Sequence, residues 1–344
     1  MKSPRSSGNK TVTAAGSSPS AEPLVIRVVT DGRAGIRNQA LGLAEAVARR
    51  TSARIQDRKV RWKRAFDWLP ADLKQPFMLD KATNALDGDP PDLWIAAGRA
   101  SLPLSLWMRR GTAPRPFVVQ IQDPRLDPAR FDMVIAPAHD GLKGANVLSI
   151  VGSPHRITPD RLTEAAPVYV DQIGALPHPR IVAMIGGKSK VFDLTDDHAA
   201  ALAERIADTV TKTGGSLLMT FSRRTPESAR KIMTRRLRTL PSWIWRGSGP
   251  NPLFAFLEAA DHILVTEDSA NMAAEAASTG KPVHILSMVA TGAGDKFTRL
   301  HEALSAHGAA RPFALPLQTW RYAPLTETDR AAQAVLDALG RRPS

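Results

Sequence analysis

Short apolar runs alternate with helical patterns along most of the chain, and this alternation limits the possible folds more than any other feature. The first run, LVIRVVT (24–30), is followed by the helical pattern GIRNQALGLAEAVARR (35–50). Runs of strand length with helices between them are typical of a parallel sheet whose crossover connections are helical. Four further runs of this kind follow: DLWIAAG (92–98), PFVVQIQD (116–123), FDMVIAP (131–137) and NVLSIVG (146–152).

A Pro-rich, irregular stretch over residues 153–179 interrupts this pattern, which restarts at RIVAMIGG (180–187). The chain has 344 residues, more than one ordinary core accommodates, so about two domains are expected. We therefore predict an α/β protein with two doubly wound, Rossmann-like domains. The predicted division is a disordered tail (1–22), a first domain (23–152), a linker (153–179) and a second domain with a C-terminal helix (180–344).

The composition excludes several classes of site and protein. The chain has no cysteine, which rules out disulfides, thiolate catalysis and cysteine-based zinc sites. No apolar run reaches the roughly 20 residues that span a bilayer, and the first 22 residues lack the apolar core of a secretory signal. These features favour a cytoplasmic protein.

The net charge of +13 indicates an anionic partner, or else a basic surface without a specific partner. The stretch RKVRWKRAFDWL (58–69) mixes basic residues with aromatic ones, and Arg109 and Arg110 follow Trp107. Basic residues beside aromatic ones suit an anionic membrane surface. Nucleic acid is not expected as a partner, because the sequence has no pattern of a known nucleic-acid-binding fold.

Ligands of open parallel sheets bind beyond the carboxyl ends of the strands, so the loops after strands are the candidate sites. In the loop after the first strand, TDGRAGIRNQA (30–40), Asp31 is placed to act as a general base. The acceptor-side residues of this loop are Gly32, Arg33, Gly35, Asn38 and Gln39. The alternative is an ordinary turn in which Asp31 only caps the following helix. After a later strand, His139 and Asp140 form a second candidate pair, or else part of a polar loop.

Three loops of the second half predict a phosphate or nucleotide site. Adjacent glycines and a lysine suit a phosphate, and so does an arginine directly after a strand. A serine at the start of the Ala-rich helix would cap it, and its free N–H groups would meet a diphosphate. The residues concerned are Gly186, Gly187 and Lys188, then Ser222 and Arg223, then Ser269, Asn271 and Glu275. Glu275 would accept hydrogen bonds from ribose hydroxyls. Packing glycines, an exposed basic turn and a solvated helix face are the alternatives.

No metal site is predicted. The pair Asp87 and Asp89 has the spacing of a DxD motif, but it precedes a strand, as a surface turn does. The histidines form no ligand cluster by their spacing.

Six segments, in this order along residues 24–310, resemble the mitochondrial-fission ELM family, whose members are regarded as glycosyltransferases. They are TDGRAGIRNQALGLAEAV, WIAAGRAS, QIQDPRLDPARFDMVIAPAHD, IGGKSKVF, FSRRTP and EDSANMAAEAASTGKPVHIL. The resemblance implies a GT-B architecture, with the two Rossmann-like domains facing a cleft, and a distant similarity to MurG-type enzymes. It also implies that the second domain holds a nucleotide-sugar and that the first holds the acceptor. MurG-type loops carry a histidine near the first turn and this chain has none, so either Asp31 or His139 could be the base.

The function that the resemblance implies is sugar transfer from a nucleotide-sugar to a lipid-linked or cell-envelope glycan. Bacterial relatives include lipooligosaccharide outer-core transferases. Such an enzyme needs no metal and no cofactor, since the nucleotide-sugar is its substrate, and it would lie on the inner face of the cytoplasmic membrane. Two alternatives remain open, a nucleotide-sugar epimerase of the same fold and a non-catalytic adaptor at membranes.

Overall fold

The computed structural model describes residues 22–111 and 115–341. The predicted tail over residues 1–22 lies outside the described residues, apart from Glu22. The elements of the first half are β1 (Leu24–Thr30), α1 (Ala34–Ala48), β2 (Ala53–Lys59), β3 (Leu93–Ala97), α2 (Leu102–Arg110), β4 (Phe117–Ile121), β5 (Met133–Pro137) and β6 (Val147–Ile150).

The six strands of the first half form one parallel sheet in the order β2-β1-β3-β4-β5-β6. Every residue of β3 and β4 is buried, because helices cover both faces of the sheet. This explains why β3 is apolar throughout and why β4 has a single polar residue, Gln120, instead of an alternating pattern.

Two short helices, α3 (Pro159–Ala165) and α4 (Val170–Gly174), lie in the predicted linker. The elements that follow are β7 (Arg180–Ile185), β8 (Phe192–Asp193), α5 (Asp196–Thr213), β9 (Ser216–Phe221), α6 (Glu227–Leu237), β10 (Ser242–Ile244), α7 (Leu253–Ala259), β11 (His262–Thr266), α8 (Ala270–Ala277), β12 (Val283–Leu286), β13 (Val289–Ala290), α9 (Asp295–Ala306), β14 (Ala310–Pro312) and α10 (Glu327–Gly340).

The second sheet is also parallel and has six strands, in the order β10-β9-β7-β11-β12-β14. The short strands β8 and β13 pair with each other in an antiparallel manner. The predicted alternation of strands and helices is therefore confirmed as two parallel α/β sheets. The exact limits of the domains stay a prediction.

The C-terminal helix α10 packs on the first sheet although it follows the second one along the chain. Ala331, Ala332 and Val335 belong to the core formed by α1 and the first sheet. At the start of the helix, the Glu327 carboxylate accepts a hydrogen bond from the Val151 backbone N–H at 2.7 Å. The last helix thus joins the two halves a second time.

No helix among the described residues combines the length and the apolar character that crossing a membrane requires.

Candidate functional site

A chain of amide side chains joins the two halves across a cleft at the carboxyl ends of their strands. The Gln122 Nε2 group donates to Gln39 Oε1 at 3.0 Å, and Gln39 Nε2 donates to Asn271 Oδ1 at 3.0 Å. Ser153 Oγ donates to the same Asn271 oxygen at 2.8 Å. A Cβ atom at Gly35 would lie 3.6 Å from Asn271 Nδ2. Asn271, predicted to contact a nucleotide, has its amide oxygen occupied by this junction.

A cavity of about 290 Å³ opens in the cleft beside this junction. Loops that follow β3, β4 and β5 form one wall, and the start of α8 forms part of the other. The charged and amide side chains that line it are Gln39, Arg99, Gln120, Gln122, Asp123, Arg125, His139, Asp140, Asn271 and Lys296. This volume and this polar lining suit a single sugar residue.

His139 lies in this cavity, directly after β5. Its Nδ1 atom is buried and has no hydrogen-bond partner among the described residues. Burial lowers the pKa of His139 below its ordinary value, and Lys296 and Arg299 lower it further, against the opposing effect of Asp140. An imidazole with a lowered pKa is mostly neutral at pH 7, so one of its two ring nitrogens carries no proton.

The segment that carries His139 is held from the second half of the chain by α9. Arg299 Nη2 donates to the His139 backbone oxygen at 2.9 Å. Lys296 Nζ lies 2.6 Å from the Asp140 carboxylate. These contacts fix the position of the imidazole relative to the second sheet.

Asp31 is engaged within its own turn. Its carboxylate accepts from the Arg33 backbone N–H at 3.0 Å and from Arg33 Nε at 2.7 Å. Gly32 has a φ of +83° in this turn, and Arg33 occupies the N-cap position of α1. Asp31 is not among the residues that line the cleft cavity, whereas Gln39 of the same loop is. Asn38 lies one residue before Gln39 and is partly buried.

The predicted glycine pair packs against a buried carboxylate instead of presenting free N–H groups. The Gly186 N–H donates to Thr266 Oγ1 at 2.7 Å, and the Gly187 N–H donates to Asp268 Oδ2 at 3.0 Å. A Cβ atom at Gly186 would lie 1.9 Å from Asp268 Oδ1. These two glycines are needed for close packing, so a phosphate would not find their N–H groups free.

Asp268 and Arg224 connect three loops that follow β7, β9 and β11. Arg224 Nη2 lies 2.7 Å from the Asp268 carboxylate, which is fully buried. The Lys188 N–H donates to the Arg224 backbone oxygen at 3.2 Å. The Asp268 carboxylate lies so close to Gly186 that only glycine leaves room for it. The glycine at this position is therefore the feature of the sequence that could indicate the contact.

The predicted basic side chains of these loops are exposed. Lys188 is 71% exposed and lies 3.6 Å from Asp193. Arg223 is also exposed, one residue before Arg224. Ser222 forms the turn before them, because its Oγ accepts from the Arg224 N–H at 3.1 Å. Arg223 and Lys188 are therefore cationic side chains that a ligand could reach here.

Ser269 caps α8, since its hydroxyl accepts from the Met272 N–H at 3.4 Å. The N–H groups at the start of an α-helix have no acceptor within the helix. Those of Ala270 and Asn271 are accordingly left without an acceptor in the described part of the chain. They give the start of α8 a partial positive charge that favours an anion.

Glu275 lies on α8, four residues after Asn271, and is partly buried. Desolvation raises the pKa of its carboxyl group to about 7. No cation or hydrogen-bond donor of the described residues pairs with it. A carboxyl group that is costly to ionise and has no partner is typical of a functional site.

No three His, Asp or Glu side chains come together as metal ligands would within residues 22–111 and 115–341. The DxD pair lies on the surface, where Arg54 forms an ion pair with Asp89.

Comparison with known proteins gives a family match and a fold match. The family model described as "Mitochondrial fission ELM1" matches residues 34–339. The mitochondrial fission protein ELM1 of Arabidopsis thaliana is 32% identical over 301 residues, which cover 80% of this chain and 69% of that protein. A protein of Rickettsia prowazekii (strain Madrid E) is 26% identical over 356 residues, covering 91% of this chain and 98% of its own.

Among solved structures, the UDP-GlcNAc 2-epimerase of Methanocaldococcus jannaschii matches with a TM-score of 0.50 and 12% identity. The match covers 92% of this chain and 99% of the epimerase. The two parallel sheets with a cleft between them are the GT-B arrangement, as the family resemblance implied.

Proposed function

The chain belongs to the mitochondrial fission ELM1 family, and from this membership and its GT-B fold we propose that it is a glycosyltransferase. It moves a sugar from a nucleotide-sugar donor to a hydroxyl group of a lipid-linked or cell-envelope glycan. The observation that carries the proposal is the neutral His139, whose buried Nδ1 lacks a partner beside a cavity of sugar size.

The donor binds at the start of α8. Its diphosphate meets the free N–H groups of Ala270 and Asn271, with Arg223 and Lys188 supplying further positive charge. Glu275 accepts hydrogen bonds from the ribose hydroxyls. Asp268 and Arg224 do not contact the donor in this scheme, but they hold the three loops in position.

The acceptor sugar occupies the cleft cavity. His139 removes the proton from its hydroxyl group, and the hydroxyl oxygen attacks the anomeric carbon of the donor sugar. The bond between that carbon and the diphosphate oxygen breaks as the new glycosidic bond forms. The nucleoside diphosphate leaves with the bonding electron pair, and the start of α8 stabilises its added charge.

The test of this function is a panel of nucleoside diphosphates in a thermal-shift assay, followed by turnover of the best donor. UDP-GlcNAc is a reasonable first donor, because a structurally similar epimerase acts on it. Transfer that depends on an added acceptor would support the proposal. Conversion of free donor without acceptor would identify an epimerase, and a donor left unbound and unchanged would identify an adaptor.

Nucleoside diphosphate binding is expected to release protons at pH 7. The Glu275 carboxyl group is about half protonated there, because its pKa is about 7. Hydrogen bonds from ribose hydroxyls favour the ionised form and lower the pKa. Calorimetric titration of UDP in two buffers of different ionisation enthalpy measures this release, and affinity should rise between pH 6 and pH 8.

The matched control for this titration is Glu275→Gln, which has no proton to release. A wild-type protein that binds UDP without any buffer dependence would exclude Glu275 from the nucleotide site.

We further propose that the first half of the chain binds the inner face of the cytoplasmic membrane. Trp68 and Phe77 are 78% and 69% exposed, and Leu73 and Trp107 are also exposed. Trp68, Leu73 and Phe77 lie in one segment of the chain. This segment contacts α2, the helix that carries Trp107, through the ion pair between Arg110 and Asp72 at 3.3 Å. Basic residues lie close to these side chains along the chain: Lys63, Arg64, Lys74, Arg109 and Arg110. We call this the aromatic surface.

Flotation with vesicles tests the aromatic surface. Binding to anionic vesicles is expected to fall steeply with salt, because each basic residue near the membrane contributes about 1 kcal/mol. Combined Trp68→Ser and Phe77→Ser substitutions should abolish flotation. Val168→Ser is the matched control, since Val168 is 67% exposed but lies outside the aromatic surface. Equal flotation with neutral vesicles would contradict an electrostatic contribution.

A further inference from the structure

Backbone strain in the described part of the chain is concentrated in the loop after β4. Gln122 and Arg125 have φ values of +72° and +53°, and no other non-glycine residue of the described chain has a positive φ. Such a conformation is unfavourable for a residue with a Cβ atom and is most common at functional sites. Both residues line the cleft cavity.

This loop is held by hydrogen bonds on both sides. The Gln122 backbone N–H donates to the Ile135 oxygen at 2.9 Å, and its side chain donates to Gln39. Asp123 Oδ1 accepts from the Arg125 backbone N–H at 2.7 Å. The strained conformation is thus fixed, and it places Arg125 at the cavity.

A second arginine reaches the cavity from the neighbouring strand. Arg99 begins a single helical turn after β3, directly behind Gly98, whose φ is +83°. A Cβ atom at Gly98 would lie 3.1 Å from the Ile36 side chain, so glycine permits the close packing of this turn.

The charges of the cavity are not balanced, because three cationic side chains, Arg99, Arg125 and Lys296, face only two carboxylates, Asp123 and Asp140. Lys296 is paired with Asp140, and the Asp123 carboxylate accepts a hydrogen bond from its own loop. Arg99 and Arg125 are exposed, and neither guanidinium has an ionic partner among the described residues. Two unpaired arginines in a polar cavity are suited to an oxyanion, which guanidinium groups bind through paired hydrogen bonds.

We propose that Arg99 and Arg125 bind an anionic group of the acceptor, so that the acceptor sugar carries a carboxylate or a phosphate. The inference rests on the proposed function in so far as it calls the ligand an acceptor. The anion subsite itself can be tested without turnover. The amide oxygen of Gln122 contacts a sugar hydroxyl, and the volume of about 290 Å³ limits the subsite to one sugar residue.

The experiment compares glucose, glucuronate, glucose 1-phosphate and inorganic phosphate as probes of the full chain by ligand-observed NMR. Glucuronate or glucose 1-phosphate is expected to bind at least tenfold more tightly than glucose, and the tighter of the two identifies the anion. Binding of the anionic sugars should weaken as the salt concentration rises. Inorganic phosphate should bind more weakly than the sugar phosphate, because it lacks the hydroxyl contacts.

Arg99→Gln and Arg125→Gln should each weaken binding of the anionic probe about tenfold or more. Arg125→Gly separates function from folding, because glycine relieves the strained φ while removing the guanidinium. This variant is expected to melt no lower than the wild type and still lose the probe. Retained binding in a folded Arg125→Gly variant would overturn the assignment.

The matched control is Arg235→Gln, on a rival basic groove formed by α6 and its neighbours. That groove is lined by Phe221, Glu227, Arg230, Lys231, Thr234, Arg235, Arg238 and Arg246. Loss of probe binding in the control would place the anion in the groove of α6 and overturn the proposal.

Saturating UDP separates this inference from the proposed function. The anionic sugar is expected to bind equally well with UDP present, since the two ligands use different walls of the cleft. Displacement of the sugar by UDP would show that the arginines bind the nucleotide instead. UDP binding without binding of any anionic sugar would overturn the subsite and leave the proposed function standing.

Discussion

Replacing His139 by glutamine is expected to lower the rate of sugar transfer by about 10²–10⁴-fold, the usual effect of losing a general base. The imidazole lines the cleft cavity, its Nδ1 is buried without a partner, and burial lowers its pKa. Glutamine keeps a polar side chain of similar length but cannot accept the proton. The affinity for UDP should be unchanged, because His139 lies on the acceptor wall.

The pH dependence of the wild-type rate provides a second readout of the same group. An imidazole acts as a base only while it is neutral, so the rate should fall as pH decreases through its pKa. Since the pKa is lowered, this fall should begin below the ordinary range of histidine. His139→Gln should lack the acid limb in its residual rate.

Asp31→Asn is the comparison variant, because Asp31 was the first candidate for the base. Its carboxylate is bound by Arg33 within the turn, so its replacement should change the rate by less than about tenfold. A larger loss of transfer rate in Asp31→Asn than in His139→Gln would assign the proton transfer to Asp31.

Replacing Glu275 by glutamine is expected to weaken UDP binding and, at high pH, to stabilise the protein. Hydrogen bonds to a charged group contribute about 1.5–3 kcal/mol, so affinity should fall roughly 10–100-fold. The two effects have opposite signs, which no purely structural residue would give. Calorimetry with UDP and thermal melting without ligand measure them separately.

The sign of the stability effect follows from the raised pKa. The carboxyl group has a pKa of about 7 in the folded chain and its ordinary value of 4.5 in the unfolded chain. Its contribution to stability is fully present below pH 4.5 and is lost as pH rises through 7. At pH 8 the wild type should therefore be less stable than Glu275→Gln by about 1–3 kcal/mol, the upper figure applying to a fully desolvated group.

The difference in stability between the two proteins should shrink as pH is lowered, since neutral Glu and Gln are nearly equivalent. A pH-independent difference would mean that the carboxyl group is solvated and ionises normally. Unchanged UDP affinity at pH 8 would remove Glu275 from the donor site.

The fold could be predicted from the sequence because its signals are local. Strand β3, for example, is apolar at every position, and α8 begins after a serine that caps it. Burial on both faces and capping each depend on residues close together in the chain, so their patterns can be seen without a structure.

The contacts of the site could not be predicted in the same way. Gln39 and Asn271 are 232 residues apart and meet only because the two sheets face each other. Gly186 has the appearance of a phosphate-binding residue, and only the position of Asp268 shows that it serves close packing. The positive φ of Arg125 likewise has no recognisable pattern in the sequence.

The return of α10 to the first sheet determines how the cleft can open. Two chain segments cross between the halves, and they are fastened to each other where the His155 N–H donates to Thr328 Oγ1 at 3.1 Å. A single connecting segment would leave the orientation of one half relative to the other little restricted. Two segments that are hydrogen-bonded to each other restrict that orientation more. Any relative motion of the two sheets must therefore bend both segments together, near His155 and Thr328.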